Sequence, residues 1–242
     1  PFRAPHHTAT AAGLTGGGKI PRPGEIPLSH NGVLFLDELP EFQKNALEIL
    51  RQPIEDGKIT ISRAMQSTTY PSSITVICAM NPCRCGYFGH PVKQCICGKK
   101  EVSNYLQKVS GPLLDRLDLH VEVPSVTFEE IDRSEKEETS AEIKKRVVAA
   151  REIQKERYKE LGIRCNSRLG SKEIKEFCRL DDASRSFLKD IFNKLSLSAR
   201  SYDKILKTAR TIADLANEKN ISYAHLAEAL QYRSLDRKYW AR

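Results

Sequence analysis

No apolar run in this 242-residue chain approaches membrane-spanning length, and its N-terminus lacks the pattern of a secretory leader. A membrane protein and a secreted one are both set aside, and a cytoplasmic location is expected. Internal repeats and low-complexity segments are missing too, which excludes a repeat array. The seven cysteines cannot all pair, and four of them crowd between Cys83 and Cys97, so a disulfide framework does not fit. With 40% hydrophobic and 29% charged residues, the chain reads as a soluble globular protein with one sizeable core and a second small domain.

A phosphate-cradling loop of the form G-x-x-x-x-G-K-[ST] is also lacking. Gly13–Lys19 (GLTGGGK) matches the first part, but Ile20 stands where a hydroxyl is needed for Mg²⁺. Pro21 and Pro23 oppose the helix that should follow, so the segment reads as a flexible Gly-rich loop. The chain starts at Pro1 in what reads as mid-domain sequence, and a true phosphate loop is expected upstream of it.

What the sequence does have is Val33-Leu34-Phe35-Leu36 ending in Asp37-Glu38. A branched and aromatic run too short for a helix reads as a buried parallel strand, and its C-terminal end is where an α/β sheet binds ligands. Asp37 is suited to coordinate Mg²⁺ and Glu38 to activate water, as in a Walker B element of a nucleotide hydrolase. Taken alone, the stretch fits an ordinary strand followed by an acidic turn equally well.

Around it, residues 1–32 read as loop, and Glu41–Gln52 as a short amphipathic helix with Pro53 just past its end. Asp56-Gly57 marks a turn before a strand at Lys58–Ser62, with a return strand near Thr68–Tyr70 completing a hairpin. Ser73–Ala79 is a further strand stopped by Asn81-Pro82, and Leu119–Val123 alternates as a last strand should. Strands separated by helices predict a mostly parallel α/β sheet over residues 1–132. Residues 133–242 read as a charged linker and an all-helical domain, opened by a Thr139/Glu142 capping box. Ile143, Val147, Ala150 and Leu161 form a sparse stripe, and helices follow near 171–178, 183–195, 201–217 and 223–232.

Charge divides unevenly. Residues 1–138 carry 15 Lys/Arg against 17 Asp/Glu, whereas residues 139–242 carry 24 against 14 and hold all the positive excess. Nucleic-acid contact and a solvated helical surface both account for this.

Three further groups carry chemistry. Asn81, just beyond a strand end, can position water against a γ-phosphate or serve an Asn-Pro turn. Arg116 follows the tight turn of Ser110–Asp115 and suits either phosphoryl-transfer stabilisation in a neighbouring subunit or a surface pair with Asp115 or Asp118. Cys83-x-Cys85 and Cys95-x-Cys97 can close a tetrahedral Zn²⁺ site, with glycines allowing the sharp turns, although the spacing is tighter than usual. Redox-labile pairs or unligated thiols are the alternatives, and His90 could replace one ligand. Cys78 reads as core, and His6-His7 as loop-stabilising.

In order and spacing these elements resemble the AAA+ ATPases, specifically the magnesium-chelatase-like ComM/YifB family. The matching stretches are Pro5-His6-His7-Thr8, Pro23–Ile26, Leu34–Phe42, Ala79–Cys83, Ser110–Arg116, Ser198-Ala199-Arg200 and Ala209–Leu215. The resemblance implies an AAA+ core followed by a helical lid, Walker B roles for Asp37 and Glu38, sensor 1 at Asn81, an arginine finger at Arg116 and sensor 2 at Arg200. It implies that the hairpin from Ile59 to Tyr70 is a pre-sensor insertion reaching a central pore. The four-cysteine segment sets the chain apart from chlorophyll-type chelatase subunits. The family's Lon-like N-terminal part and phosphate loop are absent from this sequence, so the isolated chain is expected to be inactive.

The resulting expectation is the C-terminal part of a hexameric, ATP- and Mg²⁺-dependent ring that couples hydrolysis to DNA remodelling, with Zn²⁺ in the cysteine site. A chelatase-type motor acting on a protein partner, and a non-enzymatic zinc-binding interaction module, are the rivals.

Overall fold

The computed structural model describes residues 1–62, 66–126, 128, 132, 138–195 and 197–233. The described residues divide into two compact units, one from Pro1 to Leu117 and one from Asp118 to Arg233. The first is α/β and the second helical, as expected for a partial AAA+ core followed by a helical domain.

In the first unit, β1 (Phe2–Arg3), β4 (Val33–Leu36) and β7 (Thr75–Cys78) form a parallel sheet in the order β1-β4-β7. The register sets Phe2 against Val33 and Leu36 against Cys78. β4 is central, and its alternate residues Leu34 and Leu36 are fully buried. They pack with Leu14 of α1 (Ala11–Thr15), Ile26 of α2 (Glu25–Leu28), and Ala46 and Leu47 of α3 (Lys44–Ile49). Burying such aliphatic side chains is worth about 1.5–3 kcal/mol each, which makes this strand the anchor of the unit.

Residues 1–32 are not the loop expected from their Gly and Pro content. They supply β1, α1, α2 and a small antiparallel ribbon of β2 (Gly16–Gly17) and β3 (Arg22–Pro23). Gly16 sits at φ +100°, and a Cβ there would run into the Arg22 carbonyl and the Gly24 N–H. Close backbone approach therefore accounts for this glycine.

The expected helix over Glu41–Gln52 divides into a 3-10 turn (Leu39–Glu41), α3 and α4 (Arg51–Asp56). Pro53 lies within the first turn of α4 instead of past a helix end, a position where its missing N–H costs nothing. The hairpin forms as β5 (Lys58–Ser62) and β6 (Ser67–Pro71), with Ile59 opposite Tyr70. Two helices follow, α5 (Lys99–Leu106) and α6 (Gly111–Leu114).

One expected strand is not formed. Leu119–Val123 alternates, but Leu119, Val121 and Val123 are each more than half exposed, and no strand occurs there among the described residues. The inward-facing member is His120, whose N–H donates to the Tyr232 carbonyl. A period-two pattern makes a strand only where a sheet receives its apolar face.

The second unit contains α7 (Ser140–Arg157), α8 (Ser171–Phe177), α9 (Asp182–Leu195), α10 (Ala199–Leu215) and α11 (Tyr223–Gln231). The Thr139/Glu142 capping box opens α7, with the Glu142 carboxylate accepting the Thr139 N–H at 2.7 Å. Ile143, Val147 and Leu161 are nearly half exposed, so of the sparse stripe only Ala150 is buried. α10 buries Ile205, Leu206, Ala209 and Ala213 as its apolar face requires.

Asp214 is fully buried on α10 and receives the Arg157 Nη1–H at 3.0 Å, the Arg210 Nε–H at 3.1 Å and the Asn166 Nδ2–H at 2.8 Å. Arg210 also donates to the Lys219 and Glu218 carbonyls, closing the C-terminal end of α10. Burial alone would lower the Arg157 pKa, but the Asp214 carboxylate raises it above the ordinary value. Asp214→Ala strands these cations without a counter-ion and should cost about 3–5 kcal/mol, read as a lower urea midpoint. A change below about 1 kcal/mol would show that the network contributes little to stability.

Candidate nucleotide and metal sites

Three parallel strands deliver their C-terminal ends to one edge of the sheet. β4 leads into Asp37 and Glu38, β7 into Asn81, and β1 into Pro5-His6-His7-Thr8. The Ala79 N–H donates to the Leu36 carbonyl at 2.9 Å and the Leu39 N–H to the Ala79 carbonyl at 3.0 Å. These bonds extend the β4–β7 pairing past the strand ends and set Asp37 beside the approach to Asn81. Asp37, Glu38 and Asn81 are all exposed.

Glu38 has φ 51° and ψ 45°, a left-handed conformation costing a non-glycine residue about 1–2 kcal/mol. The turn breaks the strand before the Leu39–Glu41 3-10 helix and leaves both carboxylates at the sheet edge. The Asp37 carboxylate accepts the Glu38 N–H at 2.8 Å. On the other side, His7 Nδ1 lies 2.8 Å from Glu38 Oε2. A carboxylate can only accept, so the imidazole carries the proton in this contact. The His7 ring lies tilted against that of His6, with centroids 4.1 Å apart, and meets Phe42 edge-on at 6.5 Å. The exposed oxygen donors of Asp37 and Glu38 suit a hard divalent cation.

Arg116 does not project into solvent. Its side chain is 9% exposed, with Nη2 on Glu55 Oε2 at 2.9 Å and Nη1 on the Pro112 carbonyl at 2.6 Å. The turn before it is fixed by Ser110, whose Oγ accepts the Leu113 N–H. Ser110, followed by Arg51, also holds the Glu48 carboxyl below the ordinary carboxylate range. Arg116 thus lines a cavity with Glu48, Arg51, Glu55, Ile59 and Ile61, which Asp37, Glu38 and Asn81 do not line. Arg200 is exposed in the first turn of α10, behind the Ser198 N-cap. A cation there opposes the helix dipole, so helix stability does not explain its placement.

The four cysteines converge two residues beyond Asn81. Their sulfurs all lie within 4.8 Å of one another, with Cys83–Cys85 at 3.4 Å, Cys83–Cys95 at 3.7 Å and Cys85–Cys95 at 3.5 Å. No disulfide joins any of the seven cysteines. Cys83 is fully buried against Val102, Tyr105 and Leu106 of α5, with Met80 packed alongside. Backbone N–H groups of Tyr87 and Ile96 draw the Cys85 thiol down to about 6. The Cys97 N–H pulls Cys95 the same way, but burial and the neighbouring Cys85 and Cys83 sulfurs push it up to about 12. Crowded thiols that cannot all ionise without a cation between them form a group that could hold a metal ion. His90 is outside it; its Nδ1 accepts the Val92 and Lys93 N–H groups.

The His7 contact with Glu38 is the feature the sequence reading undervalued. The motif Pro5-His6-His7-Thr8 was its signal, but the partner is 31 positions away. Glu55 beside Arg116 left no local signal at all.

A family model described as magnesium chelatase, subunit ChlI, matches residues 1–131, and one for the C-terminal part of that subunit matches residues 137–233. Competence protein ComM of Haemophilus influenzae is 47% identical over 238 residues, covering 98% of this chain and 46% of that protein. The protein YifB of Salmonella typhimurium is 45% identical over the same shares of each chain. Protein Mb2921c of Mycobacterium bovis is 37% identical over 234 residues, 96% of this chain and 46% of that protein. The chain thus spans about half the length of the curated relatives it matches. Among the described residues, no helix is long and apolar enough to cross a membrane.

Proposed function

Because this chain belongs to the magnesium chelatase, subunit ChlI, family, in its ComM/YifB-like group of AAA+-type ATPases, we propose that it carries the hydrolytic edge of a ring-forming motor that couples ATP hydrolysis to DNA remodelling. The observation that carries this reading is the meeting of Asp37, Glu38 and Asn81 at the C-terminal edge of one parallel sheet. When bound in the full-length protein, ATP would supply the phosphoryl group to be transferred and Mg²⁺ would neutralise charge on its phosphates. Asp37 would hold the cation, Glu38 would take a proton from the attacking water, and Asn81 would orient that water. Arg116 acts on the nucleotide of a neighbouring subunit in a hexameric ring, and Arg200 is assigned to nucleotide binding. The positive excess of residues 139–242 supports a polyanionic partner.

The test of the DNA reading uses the full-length protein. It should bind branched DNA with an affinity that falls steeply with salt, and that DNA should raise ATP turnover. Turnover indifferent to DNA would instead favour the chelatase-type motor that the family description suggests.

In the cysteine site we assign Zn²⁺. Four thiolates at the usual zinc–sulfur distance stand about 3.8 Å apart in a tetrahedron, close to the 3.4–3.7 Å separations among Cys83, Cys85 and Cys95. The purified protein should hold about one zinc per chain by elemental analysis. Absence of metal, with all four cysteines freely alkylated, would remove the assignment.

A further inference from the structure

Between Asp56 and Glu101 the chain carries no acidic residue, although the whole chain has 31. That stretch contains the four-cysteine loop, whose Arg84 and Lys93 are exposed, as are Lys99 and Lys100 just after it. An anion approaching this loop meets mainly cations; the bordering carboxylate, Glu101, accepts the Gly98 N–H at 2.8 Å at the foot of the loop.

The loop also exposes apolar and aromatic surface. Val92 and Ile96 are 86% and 87% exposed, and the adjacent Tyr87 and Phe88 are both exposed. The aromatic pair is bracketed by Gly86 and Gly89, each at φ +81°, a conformation glycine adopts without strain. The pair therefore sits at the tip of a tight turn. Its presentation is fixed from several sides. The Lys93 ammonium lies 5.0 Å from the centre of the Tyr87 ring, and the His90 ring meets that of Tyr87 edge-on at 5.7 Å. At the base, the clustered cysteines fasten the loop to α5.

We propose that this loop is a contact surface for single-stranded DNA, with Tyr87 and Phe88 stacking on unpaired bases and Arg84, Lys93, Lys99 and Lys100 facing the phosphates. The inference rests on the DNA reading above and names the surface that would carry it. Aromatic faces match unstacked bases, whereas a duplex offers only base edges and phosphates. A second copy of the chain is the other occupant for exposed apolar residues. A patch with four cations, whose one bordering acid, Glu101, is engaged with the Gly98 N–H, would there bring like charges together.

The test is fluorescence anisotropy of the full-length protein on labelled oligo(dT) across a salt series, with Tyr87→Ala/Phe88→Ala. The double variant should bind at least about tenfold more weakly, keeping its zinc content and its DNA-independent ATP turnover. Lys93→Glu should flatten the salt dependence. If the alanine pair loses zinc, Tyr87→Leu/Phe88→Leu keeps the bulk without the stacking face and should bind as weakly. Binding equal to wild type in the leucine or alanine pair would overturn this surface and leave the DNA reading standing. No binding of oligo(dT) by the wild type would overturn this surface, and the DNA reading falls with it only if branched DNA is not bound either. A changed oligomeric state with unchanged affinity would assign the patch to contact between copies instead.

Discussion

Replacing Glu38 by glutamine in the full-length protein should abolish steady-state ATP turnover while leaving nucleotide affinity largely intact. The carboxylate stands at the exposed sheet edge beside Asp37, and an amide cannot accept the proton of an attacking water. Loss of a positioned general base costs about 10²–10⁴-fold. Glutamine keeps the side-chain length, and its carbonyl oxygen can still accept the His7 Nδ1–H, so the local geometry should survive. Phosphate-release kinetics and nucleotide titration separate the two effects. Near-normal turnover would exclude Glu38 from the chemistry.

Arg116→Ala should reduce turnover by about 10³-fold or more, as arginine fingers do, with a much smaller loss of nucleotide affinity. The guanidinium rests on Glu55 and the Pro112 carbonyl in this chain, so reaching a neighbour's nucleotide means exchanging those partners. Arg116→Lys should not rescue, because a point charge lacks the planar fork that spans two acceptors. An unchanged urea midpoint in both variants would separate the catalytic loss from unfolding. Turnover within about tenfold of wild type in Arg116→Ala would contradict the role.

Much of this arrangement was legible in the sequence because local patterns carried it. The apolar run ahead of Asp37 and Glu38 specified a parallel strand, and the Asp56-Gly57 turn marked where β5 of the hairpin begins. The apolar face of α10 and the Thr139/Glu142 box likewise placed the helices of the second unit. What stayed hidden depended on partners far along the chain. β1 is two residues long and exists because Phe2 and Arg3 pair with Val33 and Leu34. Without such a neighbour, the equally alternating Leu119–Val123 forms no strand among the described residues. Asp214 and Arg210 fell in a recognisable motif, yet only the fold reveals that Arg157 and Asn166 complete their buried network. Four cysteines at close spacing announced a cluster, while the packing of Cys83 onto α5, which places that cluster just past Asn81, needed the structure.

The central claim is a nucleotide site built from Asp37, Glu38 and Asn81 of one subunit and Arg116 of the next. Subunit mixing tests it most directly. Full-length Arg116→Ala and Asp37→Ala proteins should each be inactive alone, and mixing them should restore part of the ATP turnover. In a mixed ring, an intact Asp37 edge can lie beside an intact Arg116, and no single subunit carries both. If mixed rings are demonstrated by labelled subunits and turnover stays at the level of the separate variants, Arg116 does not act across an interface and the account of the site is wrong.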